Sequence, residues 1–186
     1  MANMKSVLRF TIAVLFINLF ASCGDNLPSP TQDGANTFGC KINGKAWIPN
    51  GGGSFSGIKP ISAGYLVLPT HKFQLGIYLS AHSRDKQAIY ITLNDIKVGT
   101  YQLRKLVTLN GSDQARSHAD YNDRRGETYL DEIYYATNDH YGGEVIITRS
   151  DSTAKVISGR FNFTAVDSEG KTAVISDGRF DVKYPL

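Results

Sequence analysis

The sequence predicts an all-β protein, a single antiparallel β-sandwich with a barrel as the second architecture. Three observations lead there. Apolar residues recur with a period of two in several short runs, turn residues separate those runs, and no stretch keeps a 3.6-residue period over three turns. The composition agrees: 18 glycines serve turns, and nine Phe, ten Tyr and one Trp suit pleated faces.

Taken in order, Phe38, Cys40 and Ile42 alternate with small or polar residues. Asn43-Gly44 then supplies the pair that a two-residue hairpin turn favours, and Lys45 to Pro49 returns. Gly51 to Gly53 reads as loop and Ala63 to Pro69 as the next strand. Phe73, Leu75, Ile77 and Leu79 alternate with Gln74, Gly76, Tyr78 and Ser80, and Ile89, Ile91 and Leu93 with Tyr90, Thr92 and Asn94. Val98 to Leu103 is a turn into a strand. Asn110 to Glu127 is charged and apolar-poor and reads as an exposed loop. Thr128 to Thr137, Glu144 to Arg149, Lys155 to Val166 and Lys171 to Tyr184 supply the closing strands, about nine to eleven in all.

The last two strands carry an echo, Gly159-Arg160-Phe161-Asn162-Phe163 against Gly178-Arg179-Phe180-Asp181-Val182. Alternation turns Phe161, Phe163, Phe180 and Val182 to the core and Arg160, Asn162, Arg179 and Asp181 to water. The two arginines read as the polar face of a hairpin before they read as a ladder for an anion.

Ahead of the strands, Lys5 and Arg9 precede an apolar run from Phe10 to Phe20. Eleven residues are too few to span a bilayer as a helix, which takes about 20, and they fit the apolar region of an export signal. The run ends Phe20-Ala21-Ser22-Cys23, which resembles a lipobox, with Phe20 where Leu is commoner. Residues 1–22 therefore read as a lipoprotein signal peptide and Cys23 as the site of diacylglycerol and palmitate attachment. Two or three acyl chains make a stable anchor where one does not. Residues 23–36, broken by Pro28, Pro30 and Gly34, read as a flexible linker reaching roughly 40 Å at about 3.1 Å per residue, and 37–186 as the domain.

Losing Lys5 and Arg9 with the signal lowers the net charge from +3 to +1. No clustered basic face remains to call for nucleic acid. With Cys23 acylated, Cys40 has no partner and reads as a buried small hydrophobe.

These pieces together resemble a family of uncharacterised lipoproteins from Bacteroidetes-type bacteria. The matching stretches are Phe20 to Cys23, Phe38-Gly39-Cys40-Lys41-Ile42-Asn43-Gly44-Lys45-Ala46-Trp47, Gly99-Thr100-Tyr101, Gly143-Glu144-Val145-Ile146-Ile147-Thr148 and Ile157 to Phe163. The resemblance implies an address, the cell envelope and its outer membrane, and an all-β fold. It brings no catalytic residue. In that lineage Asp151-Ser152-Thr153 looks like an O-glycosylation sequon, with Ser152 the acceptor.

No catalytic or cofactor constellation stands out. Gly39 to Ala46 copies P-loop spacing, but Ala46 replaces the hydroxyl residue that holds magnesium and no helix follows. His71, His82, His118 and His140 have no metal-binding spacing, and the carboxylates from Asp113 to Asp139 lack the pattern of a calcium loop. No metal or cofactor is expected. Tyr129, Tyr134 and Tyr135 lie among those carboxylates, and tyrosine beside carboxylate suits sugar, whose C–H groups pack on rings while hydroxyls bond polar tips. The expected function is a non-enzymatic, lipid-anchored envelope module with Tyr129, Tyr134 and Tyr135 as its ligand face for a glycan or protein. The alternatives are a carboxylate-dependent hydrolase or an accessory subunit of an envelope complex.

Overall fold

The computed structural model describes residues 26–51, 57–67, 75–104, 117–125 and 132–184. These hold eleven strands and no helix: β1 Thr37–Ile42, β2 Lys45–Trp47, β3 Ile61–Val67, β4 Leu75–His82, β5 Gln87–Leu93, β6 Gly99–Leu103, β7 His118–Asp123, β8 Ile133–Ala136, β9 Gly143–Asp151, β10 Val156–Val166 and β11 Thr172–Lys183. Every pairing is antiparallel, so the predicted class holds. Residues 1–22, where a signal peptide is expected, and Cys23 lie outside the described residues.

Within that class the strands form one curled sheet, a half-barrel, in the order β2-β1-β11-β10-β8-β7-β5-β4-β3. It forks at β10. Val156 to Phe163 pair with β9, which carries β6 on its other side, while Val166 pairs with Ala136 of β8. The curl brings the far edge back: Tyr65 of β3 meets Tyr184, just beyond β11, with ring centroids 5.0 Å apart.

The inward rows are those the alternation marks. Ile77 and Leu79, Ile89, Ile91 and Leu93, and Phe161, Phe163, Phe180 and Val182 are all buried. Phe161 is the hub of an aromatic cluster, with its ring centroid 5.0 Å from Phe38, 6.3 Å from Phe163 and 6.4 Å from Phe180. Cys40 lies fully buried beside them in the core, and burial pushes its thiol pKa far up. Asn43 and Gly44 both take positive φ, 50° and 79°, which is the type I′ hairpin their dipeptide predicts.

The echo between β10 and β11 has a packing reason. In register, Gly159 faces Phe180 and Phe161 faces Gly178. A Cβ on Gly178 would stand 2.5 Å from the Phe161 ring, and one on Gly159 would stand 2.7 Å from the Phe180 ring. Each glycine makes room for the phenylalanine opposite, and this reciprocity locks Arg160 against Arg179 at the centre.

Three expectations need correction. First, β7 runs through the stretch read as an exposed loop. Its inward residues are only Ala119 and Tyr121, too little apolar surface to signal a strand, yet β5 and β8 pair with both its edges. Second, Asp181 does point away from the core but is 1% exposed. Third, the cover over Asp181 is part of the predicted linker. Thr31 donates its hydroxyl, and Asp33, Gly34 and Ala35 donate their backbone N–H groups, to the Asp181 carboxylate. Pro28 sits on Gly39, where a Cβ would be 2.6 Å from the proline ring. Residues from Pro28 onward are thus docked on the outer face of β1, β11 and β10, and a free reach of 40 Å does not apply to them.

Candidate ligand-binding face

The alternation that buries Ile77, Leu79, Ile89, Ile91, Ala119 and Tyr121 turns the residues between them outward. On β4 these are Tyr78, Ser80 and His82; on β5, Tyr90 and Thr92; on β7, His118, Asp120 and Asn122; on β8, Tyr134. Register sets their neighbours. Tyr90 lies opposite Ser80 on one side and Asp120 on the other, and Asn122 lies opposite Tyr134.

Tyr90 is the centre of this face. Tyr78 lies diagonal to it across β4 and stacks on it at 6.2 Å and 25°, and His82 meets its ring edge-on at 5.4 Å and 83°. Burial raises the Tyr90 pKa, Tyr78, Glu132 and Asp120 add to that, and Arg124 opposes it. Burial lowers the His82 pKa, and the Arg124 guanidinium lowers it further. The ring cluster is therefore a set of half-buried aromatic surfaces.

Beside it, the Tyr134 hydroxyl donates to the Asp120 carboxylate. Burial raises the pKa of Asp120, against the pull of that hydrogen bond and of His118. Burial and the adjoining carboxylate likewise raise the pKa of Tyr134. Asn122 donates from Nδ2 to Glu132 at 3.0 Å, and Glu132 pairs with Arg124 at 2.7 Å. The Oδ1 of Asn122 is buried and has no hydrogen-bond partner among the described residues. The patch has ring faces on one flank and a carboxylate, amide and guanidinium on the other.

The predicted residues fall in different places. Tyr134 is on this face and half exposed. Tyr135, its neighbour on the same strand, points to the opposite side and stacks on Tyr121 at 5.5 Å and 25°. Tyr129 and Cys23 lie outside the described residues, as does His71. Ser152 is exposed in the β9–β10 turn, which Asp151 braces by accepting the N–H groups of Thr153 and Ala154. The sequence singles out neither Tyr78, His82 nor Tyr90 as a site residue, and Asp120 enters only among the carboxylates of the hydrolase alternative. The signal was present, since Tyr78 and Tyr90 are the outward partners of two predicted strands, but which strands lie side by side is a tertiary fact.

Among the described residues no group of three or more His, Cys, Asp or Glu side chains is placed to hold a metal ion, and no helix is long and apolar enough to cross a membrane. Asp123 is paired with Arg125 at 2.6 Å and Glu132 with Arg124 at 2.7 Å.

No curated protein and no solved structure matches the chain. A family described as a domain of unknown function, DUF6252, matches residues 71–182, more than half of the chain, spanning β4 through nearly all of β11. The match takes in the whole aromatic face and the β10–β11 hairpin, and on it the chain belongs to the DUF6252 family.

Proposed function

We propose that this protein is a lipid-anchored cell-envelope module that binds and does not catalyse, and that the outward face of β4, β5, β7 and β8 is where it binds. Acyl chains on Cys23 hold it at the outer membrane, and the ligand is a glycan. The observation that carries this reading is the cluster around Tyr90, where stacked rings adjoin Asp120 and the half-exposed Tyr134 on one sheet face. Sugars use both halves of such a patch: C–H groups against rings, hydroxyls against polar tips. A convex protein surface could use the same rings, and a protein ligand is the other outcome of the test.

A carboxylate-dependent hydrolase finds support in one feature, the raised pKa of Asp120. Such chemistry takes two carboxylates, one held as acid and one as base or nucleophile. Asp123 and Glu132, nearest in sequence among the described carboxylates, are neutralised by arginines. That favours binding.

A glycan array probed with the full chain tests the proposal. Binding that falls about tenfold or more in Tyr90→Ala and in Tyr134→Ala supports it, given the worth of a stacked ring or a bonded hydroxyl. No glycan bound, with envelope protein captured through the same two tyrosines, replaces glycan by protein. No ligand of either kind, or a Cys23 that mass spectrometry finds unmodified, overturns it.

A further inference from the structure

Where the segment before β1 lies against β10 and β11, residues 29–32 and the Arg160–Arg179 pair together line a cavity of about 250 Å³. The Gly–Phe reciprocity of β10 and β11 fixes these two residues directly opposite each other. Two like charges in that position oppose pairing, unless an anion or solvent screens them. One arginine is already aimed. The Arg179 guanidinium donates to the carbonyl of Pro28 at 3.1 Å, and more weakly to that of Asp177 at 3.4 Å. Arg160 is exposed and has no hydrogen-bond or ion-pair partner among the described residues.

The surroundings suit an anion. Ser29 and Thr37 are part of its lining, as is Thr148, whose hydroxyl is already engaged, donating to the Ser158 carbonyl at 3.2 Å and accepting from Gln32 at 3.0 Å. The nearest buried carboxylate, Asp181, is saturated by five donors, from Thr31, Asp33, Gly34, Ala35 and Ser158, so its charge is answered locally. Guanidinium forks match the paired oxygens of a phosphate, and hydroxyls complete its shell. The volume lies below that of pockets built for drug-sized ligands, which start at about 300 Å³, and fits a single phosphate-bearing head.

We propose that Arg160, Arg179 and the segment docked over them form a binding site for a phosphate-bearing ligand of headgroup size. The site is separate from the aromatic face and does not depend on its reading. Two sources share this chemistry, a free phosphate ester and the headgroup of an anionic phospholipid.

The test uses the full chain and two soluble probes, inorganic phosphate and glycerophosphoglycerol, the headgroup of phosphatidylglycerol. Arginine Nε–H resonances in NMR and calorimetry follow binding. Saturable binding in the millimolar range or tighter, with the Arg160 resonance shifting and affinity falling about tenfold in Arg160→Gln, supports the site. Arg160 holds nothing in place, so that variant keeps its fold; Arg179→Lys, which keeps charge and loses the fork, is expected to weaken binding in the same direction. Preference for the diester identifies a lipid headgroup, and preference for inorganic phosphate identifies a free ester. No saturable binding of either probe, or binding unchanged in Arg160→Gln, overturns the proposal.

Discussion

Thr31 donates its hydroxyl to the carboxylate of Asp181 at 2.7 Å, joining the segment before β1 to the last strand of the chain. Three backbone N–H groups and the Ser158 hydroxyl complete the cradle. Burial alone would raise the Asp181 pKa, but the hydrogen bonds from Thr31, Ser158, Ala35 and Gly34 outweigh it and bring the group to about 2. A carboxylate whose folded pKa is depressed stabilises the fold above its unfolded value and loses that contribution as pH falls through the folded one. Stability is therefore expected to drop by about 2 kcal/mol as pH falls from about 4 to about 2. Urea unfolding followed across that range in the parent and in Asp181→Asn measures it, and the variant should lack this part of the slope.

The same cradle predicts what Asp181→Ala does. It leaves buried donors without an acceptor, and each such group costs about 1–3 kcal/mol. The expected result is a loss of about 3 kcal/mol in unfolding free energy, with earlier proteolytic cleavage within residues 28–36. Gly39→Ala separates the two effects. Its Cβ would strike the Pro28 ring at 2.6 Å, which unseats the start of the segment while the core stays intact. Hydrogen exchange in residues 28–36 should rise, and unfolding free energy should change by less than about 1.5 kcal/mol.

Gly159→Ala is expected to be far more damaging. The added carbon would stand 2.4 Å from the carbonyl oxygen of Ile146 and 2.7 Å from the Phe180 ring, so backbone and core would both have to move. A loss of about 3 kcal/mol or more is expected in thermal or denaturant unfolding.

Tyr134 and Tyr135 should part company when each is changed to alanine. Tyr135 packs on Tyr121 on the core side, and its truncation should cost about 2 kcal/mol of stability with ligand binding unaffected. Tyr134 is half exposed on the opposite face, and its truncation should alter stability by less than about 1 kcal/mol while weakening any ligand of that face.

Cys40 should resist alkylation in the folded protein and react once urea unfolds it, because burial keeps the thiol protonated and out of reach. Mass spectrometry after timed iodoacetamide treatment checks this, and rapid labelling under native conditions would refute it.

Local pattern by itself determined a good deal. Phe38, Cys40 and Ile42 alternate, Ile89, Ile91 and Leu93 do likewise, and Asn43-Gly44 marks a turn that only positive φ can make; each feature depends on residues a few positions apart. The tertiary structure alone decided three other matters. It made a strand of His118–Asp123, whose hydrogen bonds come from β5 and β8 and leave little trace in its own composition. It covered Asp181 with a segment distant in sequence, turning a residue whose strand face is polar into a buried one. It set Tyr78, Tyr90, Asp120 and Tyr134 side by side. Strand periodicity says which face a side chain takes, but the neighbour on that face belongs to another strand, and long-range pairing chooses it.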